Sequence, residues 1–170
     1  MINIGFGTNT TNAKTFSRNV HYAKGPSFGF EPQMGLFVAP NLAAGLEVPV
    51  HSSTDKDDGT KVSLTAIGPF LRYYMGFGKV RPYLHTGFGF GKATGSQTNT
   101  GKLSYLDFSS GIAIFVHPNI SFEIAFNYLY AHIKVLDAIA VVYQGNQSQK
   151  QAYQLNSNDT AFHVGFAMHF

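Results

Sequence analysis

Apolar residues occupy every second position along much of this chain. The stretch SFGFEPQMGLFVAPNLAAGLEVPVHSS, residues 27–53, shows this alternation twice, before and after a break at APN. A period of two places successive side chains on opposite faces of a β-strand. The pattern therefore predicts strands that have one apolar face and one face of small or polar residues.

The same alternation recurs in eight segments. They lie at about residues 2–12, 26–38, 41–53, 62–76, 80–94, 103–116, 120–133 and 160–170. Tight connections near 39–40, 76–79 and 117–119 alternate with long polar stretches near 13–25, 54–61, 95–102 and 134–159. In an antiparallel meander this puts every tight turn at one end and every long loop at the other, as in outer-membrane barrels. We therefore predict an all-β fold, an eight-stranded antiparallel up-and-down transmembrane β-barrel that takes up residues 1–170 as a single domain.

The composition indicates which face points outward. Charged residues make up 12% of the chain, about half the share in ordinary globular proteins, which is about 25%. A water-soluble barrel needs many charged and polar residues outside, whereas the second face here carries Gly, Ala, Asn, His and few charges. No apolar run reaches the roughly 18 residues of a membrane helix. We expect the apolar face to contact lipid at Leu36, Leu46, Leu84, Ile112, Ile124 and Phe166.

The sparse charges of the strands fall mainly on the inward face. They and one histidine form a predicted interior polar network of Glu31, Glu47, Arg72, Arg81, His85, Asp107 and Glu123. Eight strands leave a bore only wide enough for side chains, so we expect ion pairs and hydrogen bonds, with Arg72 paired to Glu47 or Glu123. Gly87, Gly89 and Gly91 are expected to leave room for Tyr74 and Arg72. A gated proton or ion path through the same residues is the alternative.

Other chemistry receives little support. Cysteine is absent, and the inward histidines His51, His85, His163 and His169 have no spacing typical of metal ligands. A nucleophilic site would need His51 with Ser52 or Ser53, or His132 with Ser104, and neither spacing is typical of membrane enzymes. The net charge of +3 comes from scattered basic residues, so nucleic acid binding is not expected. We predict no catalytic residues, no cofactor and no metal.

Four segments carry a resemblance to a known family: SFGFEPQMGLFVAPNLAAGLEV, IGPFLRYYMGFGKVRPYLHTGFGFGKATG, GIAIFVHPNISFEIAFNYLY and AFHVGFAMHF. They resemble eight-stranded outer-membrane β-barrels of the OmpX/OmpA-like type, in the form common among Bacteroidota. The resemblance implies the Gram-negative outer membrane, and it implies that the barrel-assembly machinery reads Phe170 as a C-terminal signal. The opening MINIGFG lacks the features of a signal peptide, so we expect a mature form. A shared fold implies a location more than an activity.

The stretch 134–159 is unusually long, and part of it alternates as a strand would, with GNQS as a hairpin tip. One interpretation continues strands seven and eight above the membrane as a ribbon whose edge offers pairing to another chain, and the alternative is a mobile loop selected only to be polar. Val141, Val142 and Tyr143 are the predicted partner-binding residues, and Lys14, Arg18 and Lys24 are expected to meet lipopolysaccharide phosphates.

The sequence thus favours a non-enzymatic barrel with a structural or surface-interaction role. Its expected partners are outer-membrane lipid, lipopolysaccharide, the barrel-assembly machinery and another outer-membrane or surface protein. A small pore or carrier for ions or hydrophobic molecules is the alternative function, and a lipid-modifying membrane enzyme is a third.

Overall fold

A computed structural model describes residues 2–15, 18–54, 61–95, 100–117, 120–138 and 151–168. These residues form nine β-strands: β1 (Ile2–Thr15), β2 (Arg18–Ala39), β3 (Leu42–Glu47), β4 (Val50–Thr54), β5 (Lys61–Tyr74), β6 (Val80–Gly95), β7 (Gly101–His117), β8 (Ile120–Ala138) and β9 (Gln151–Met168). Within the described ranges, no helix has the length and apolarity to cross a membrane. The predicted all-β fold is confirmed.

The strands close on themselves through antiparallel pairing. Neighbouring strands pair around the barrel, with β3 and β4 each pairing with β2 and β5, and β1 pairs with both β2 and β9. The closing register runs from Ile2 opposite Phe166 to Lys14 opposite Gln154. A closed barrel satisfies every backbone hydrogen bond between strands, which lipid requires because it offers no partner for peptide groups.

The third barrel strand is interrupted at Val48 and Pro49, between β3 and β4. Proline has no N–H to give to a neighbouring strand. The sheet nevertheless continues, because Val48 N–H donates to the Pro32 carbonyl at 2.9 Å and the Pro49 carbonyl accepts from Ala66 N–H at 3.1 Å. β3 and β4 are therefore halves of one strand, and the described residues form the eight barrel strands that the sequence predicts.

Two tight turns lie at one end of the barrel, here called the short-turn end. Asn41 and Gly76 adopt positive φ angles of 63° and 83°, a region that suits asparagine and glycine. Tyr74 N–H donates to the Asn41 carbonyl at 2.8 Å and ties the first turn to β5. The opposite end of the barrel, where the predicted long loops lie, is the long-loop end.

The strands at the long-loop end are longer than predicted. Residues 13–25 and 134–159 were expected to be loops, but β1 pairs with β2 up to Thr15 opposite Arg18, and β8 pairs with β9 up to Ala138 opposite Gln151. The loop interpretation was wrong for the residues that pair, because the sequence there shows no regular apolar alternation from which a strand could be predicted. The last two strands continue as a ribbon as far as Ala138 and Gln151, and the rest of the predicted ribbon with its GNQS tip lies outside the described residues.

These extensions make the long-loop end asymmetric. β7 reaches only Lys102 opposite Lys134 of β8, and β4 ends at Thr54. β1 and β2 continue beyond the end of β4, and β8 and β9 continue beyond the end of β7. These four adjacent strands form what we call the raised wall: β1 residues 9–15, β2 residues 18–25, β8 residues 135–138 and β9 residues 151–154.

The side chains alternate between outside and inside along the barrel strands. On β5 every second residue from Leu64 to Tyr74 is buried. The six residues predicted to face lipid all point outward, with exposed fractions from 46% to 68%: Leu36, Leu46, Leu84, Ile112, Ile124 and Phe166. The buried polar and charged residues lie inside together with two apolar clusters, and the continuous apolar face is the outer one. Lipid contact at these positions stays a prediction.

Nitroxide labels test this orientation. Labels at Leu46, Leu84 and Phe166 in folded protein in lipid vesicles should collide with oxygen, which concentrates in the bilayer, more than with a water-soluble nickel complex. Labels at the exposed rim residues Lys61 and Lys102 are matched controls and should show the reverse preference. Preferential collision of the first set with the nickel complex would contradict the outward placement of the apolar face.

Candidate functional site in the barrel interior

The barrel interior contains layers of different chemistry. Near the short-turn end, an aromatic cluster contains Tyr74, Tyr83 and Phe115 with three alanines. Toward the long-loop end, one side is apolar and is built around Leu64, Leu103, Leu129 and Ile133. Between them lies the polar layer, which consists of Glu31, Gln33, Glu47, Arg72, His85, Asp107, Ser121, Glu123 and Asn127. The predicted polar filling is present, with apolar layers beside it.

Arg72 is the centre of the polar layer and is 1% exposed. Its Nη1 donates to Glu123 Oε2 at 2.7 Å, and its Nη2 donates to Gln33 Oε1 at 2.8 Å. The guanidinium also lies 4.5 Å from the ring centre of Tyr83. Of the two partners that the sequence allowed, the structure pairs Arg72 with Glu123.

Glu123 is satisfied at both carboxylate oxygens. While Oε2 accepts from Arg72, Oε1 accepts from the Tyr74 hydroxyl at 3.2 Å and from the Ser121 hydroxyl at 3.3 Å. A buried ion pair offsets the cost of its desolvation only when further hydrogen bonds satisfy both ions. The Arg72–Glu123 pair meets this condition.

A second group of acidic residues lies beside this pair. Glu47 accepts from the Tyr105 hydroxyl at 2.9 Å and is 3.0 Å from His85 Nε2. Asp107 Oδ2 accepts from Asn127 Nδ2 at 2.8 Å, and Glu31 accepts from Gln33 Nε2.

Side chains from four strands meet in this group. Glu31, Glu47, His85 and Asp107 each offer one ligand atom, and these atoms all lie within 4.8 Å of one another. We call these four residues the acidic cluster. All four were predicted to belong to the interior network, but no ligand spacing within a single strand marks them as one cluster. Only the register between strands brings these residues together.

Arg81 was predicted to belong to the interior network, and that prediction was wrong. Its side chain is half-buried at the short-turn end, where Nε donates to the Gly78 carbonyl at 2.9 Å. Its guanidinium lies 4.2 Å from the ring centre of Phe115. The alternation identified its face correctly, but Arg81 is only the second residue of β6 and so lies at the mouth of the barrel.

Gly87 lies against the carboxylate of Glu47. A Cβ atom at this position would overlap Glu47 Oε1, so only glycine leaves the carboxylate its place. Cβ atoms at Gly89 and Gly91 would instead overlap backbone oxygens of β5. The glycines make room for Glu47 and for close strand approach, and the expectation that they accommodate Tyr74 and Arg72 was wrong.

A smaller polar group lies toward the long-loop end. Asp159 accepts from the Ser27 hydroxyl at 2.9 Å and lies 3.5 Å from His51 Nδ1. The rings of His51 and His163 are 6.4 Å apart, and both are buried. His169 lies outside the described residues.

Little open space remains near these groups. A cavity lined by His51, Leu64, Tyr105, Leu129 and four further residues measures about 10 Å³, which is at or below the volume that one water molecule needs. Side chains therefore fill this part of the bore.

Closed strands, an apolar exterior and a filled polar interior together define an outer-membrane barrel. Comparison with protein families supports this assignment, because residues 2–170 match the family described as "Outer membrane protein beta-barrel domain". The chain belongs to that family and is therefore a protein of the Gram-negative outer membrane. No curated protein matches its sequence at a significant level.

Solved structures with the same fold cover nearly all of this chain. Neisserial surface protein A (NspA) is 15% identical, covers 98% of this chain and 96% of its own, and gives a TM-score of 0.56. The outer membrane protein OprG from Pseudomonas aeruginosa is 13% identical, with 99% and 96% coverage and a TM-score of 0.52. At such low sequence identity, these similarities show that the proteins share a fold and show nothing about a shared function.

Replacing Arg72 by leucine tests the polar layer. The change leaves Glu123 buried without its cation, which should lower the free energy of unfolding by about 3 to 5 kcal/mol. Arg81→Leu is the matched control and should cost about 1 kcal/mol or less, because Arg81 is half in solvent. Urea unfolding in lipid vesicles measures both values, and equal losses for the two variants would contradict the central role of Arg72.

Proposed function

We propose that this protein is a non-enzymatic barrel, closed to solutes, that acts at the cell surface through its raised wall. The wall would bind another outer-membrane or surface protein by adding a strand of that partner to its edge. The observation that carries the proposal is the length of β2, which has 22 residues, whereas a transmembrane strand needs about 9 to 11.

The wall has an edge on each side among the described strands. Residues 18–25 of β2 pair with β1, and β4, the next strand, pairs with β2 only from Ser27 to Phe30. At the other side, residues 135–138 of β8 lie beyond the last pairing with β7, which is Lys134 opposite Lys102. Such edges present backbone donors and acceptors that a partner strand can use.

The remaining partner predictions belong to the same proposal. Val141, Val142 and Tyr143 lie outside the described residues, in the segment that joins β8 to β9, and we propose that they contact the same partner. Lys14, Arg18 and Lys24 lie on the wall strands and would meet lipopolysaccharide phosphates. Phe170 also lies outside the described residues, and its role as an assembly signal stays a prediction.

Two observations support this function over the alternatives. A pore would need an open path, and the small cavity beside Tyr105 opposes one. A lipid-modifying enzyme would need an activated nucleophile. Ser104 lies opposite His132 in the register, but Nδ1 of His132 pairs with Asn156 Oδ1 at 2.7 Å, and no hydrogen bond joins Ser104 to His132 among the described contacts.

Photocrosslinking in living cells tests the strand-addition proposal. A benzoylphenylalanine at Asn19 or His21, on the β2 edge of the wall, should form one discrete protein adduct. The matched control is Lys102, which lies on the lower rim formed by β7. Mass spectrometry should map the adducts from Asn19 and His21 to one short extended segment of the partner. Absence of an adduct, or equal adducts from Lys102, would contradict the proposal.

A further inference from the structure

We propose that the acidic cluster binds one divalent cation of the oxygen-preferring class, Ca²⁺ or Mg²⁺, with carboxylates of Glu31, Glu47 and Asp107 as its ligands. These three residues come from β2, β3 and β7, and they are from 0% to 2% exposed. A cation at their centre would join strands that are not all neighbours in the barrel.

The charges of the interior call for such an ion. Five carboxylates are buried among the residues whose burial is described: Glu31, Glu47, Asp107, Glu123 and Asp159. Arg72 is the one buried arginine or lysine in the same set, and its shortest contact is with Glu123. Buried carboxylates need a paired charge or a metal ion. One arginine cannot neutralise both Glu123 and the three carboxylates of the cluster.

Two oxygen atoms, one in the cluster and one on its neighbour Asn127, point to a missing ligand. Asp107 Oδ1 and Asn127 Oδ1 are both buried, and neither has a hydrogen-bond partner. The two side chains are fixed relative to each other by the bond from Asn127 Nδ2 to Asp107 Oδ2. Buried oxygen atoms normally have a hydrogen-bond partner. A cation would bind Asp107 Oδ1 directly, and Asn127 Oδ1 would offer it a neutral oxygen ligand.

The hydrogen bonds of His85 exclude it as a ligand and so define the class of ion. Its Nδ1 lies 3.3 Å from Arg72 Nε, which always carries a hydrogen and must donate. Nε2 therefore carries the ring hydrogen and donates to Glu47 Oε2 at 3.0 Å. His85 is thus a positioning residue, as is Tyr105, which donates to the other oxygen of Glu47. Oxygen ligands alone favour Ca²⁺ or Mg²⁺ over the metals that prefer imidazole or thiolate.

Terbium luminescence tests this site, because Tb³⁺ replaces Ca²⁺ in oxygen sites and accepts energy from a nearby tyrosine. Tyr105 is hydrogen-bonded to Glu47, and the chain contains no tryptophan. The full chain, refolded with Tb³⁺ in detergent micelles, should emit strongly when its tyrosines are excited. Addition of Ca²⁺ or Mg²⁺ should quench the emission by competition.

Two substitutions make the test specific. Asp107→Asn should abolish the emission, whereas Asp159→Asn, which changes a buried carboxylate outside the cluster, should leave it unchanged. Glu31→Gln replaces Asp107→Asn if that variant does not fold. His85→Gln should weaken Ca²⁺ competition about 10- to 100-fold, the range for loss of a residue that positions a ligand. No emission from the parent, or equal emission from the parent and the cluster variants, would overturn the proposal and indicate that protons neutralise the carboxylates.

Discussion

The narrow bore of an eight-stranded barrel is the constraint on which the rest of this structure depends. Because side chains alone must fill the bore, each buried charge has to find its partner on another strand at the same height. Arg72 of β5 meets Glu123 of β8 in this way at 2.7 Å. The aromatic cluster and the apolar side near Leu64 then enclose the polar layer and keep it from water.

The same constraint separates the inside from the outside in size as well as polarity. Most of the exposed large hydrophobic side chains lie on the outer face, and the inner face uses glycine where a charged group needs space, as Gly87 does for Glu47. A rigid barrel of this kind can hold extended strands well beyond the bilayer. We therefore propose the raised wall as the part of the described molecule that meets a partner, since binding residues concentrate on segments held by rigid scaffolds.

Much of the barrel was predictable from the sequence because lipid imposes a strict alternation. The strand number, the closure and the outward direction of Leu84 or Ile124 all follow from that period of two. The β1 and β2 part of the wall was missed because residues 18–25 show no apolar alternation in the sequence, whereas the β8 and β9 part lies in the ribbon that the sequence suggested. The residues of the acidic cluster were predicted to face inward, but their meeting was not, because the register between strands, which sets the relative height of Glu47 and Asp107, leaves no pattern within a single strand. Arg81 shows the same limit, since its face was predicted correctly and its height was not.

Conductance in a planar lipid bilayer tests most directly whether the interior closes the bore. The purified full chain, inserted under conditions in which a known porin gives regular current steps, should give no steps at all. Regular steps of one size from the folded protein would show an open path through the polar layer, and they would contradict a closed barrel.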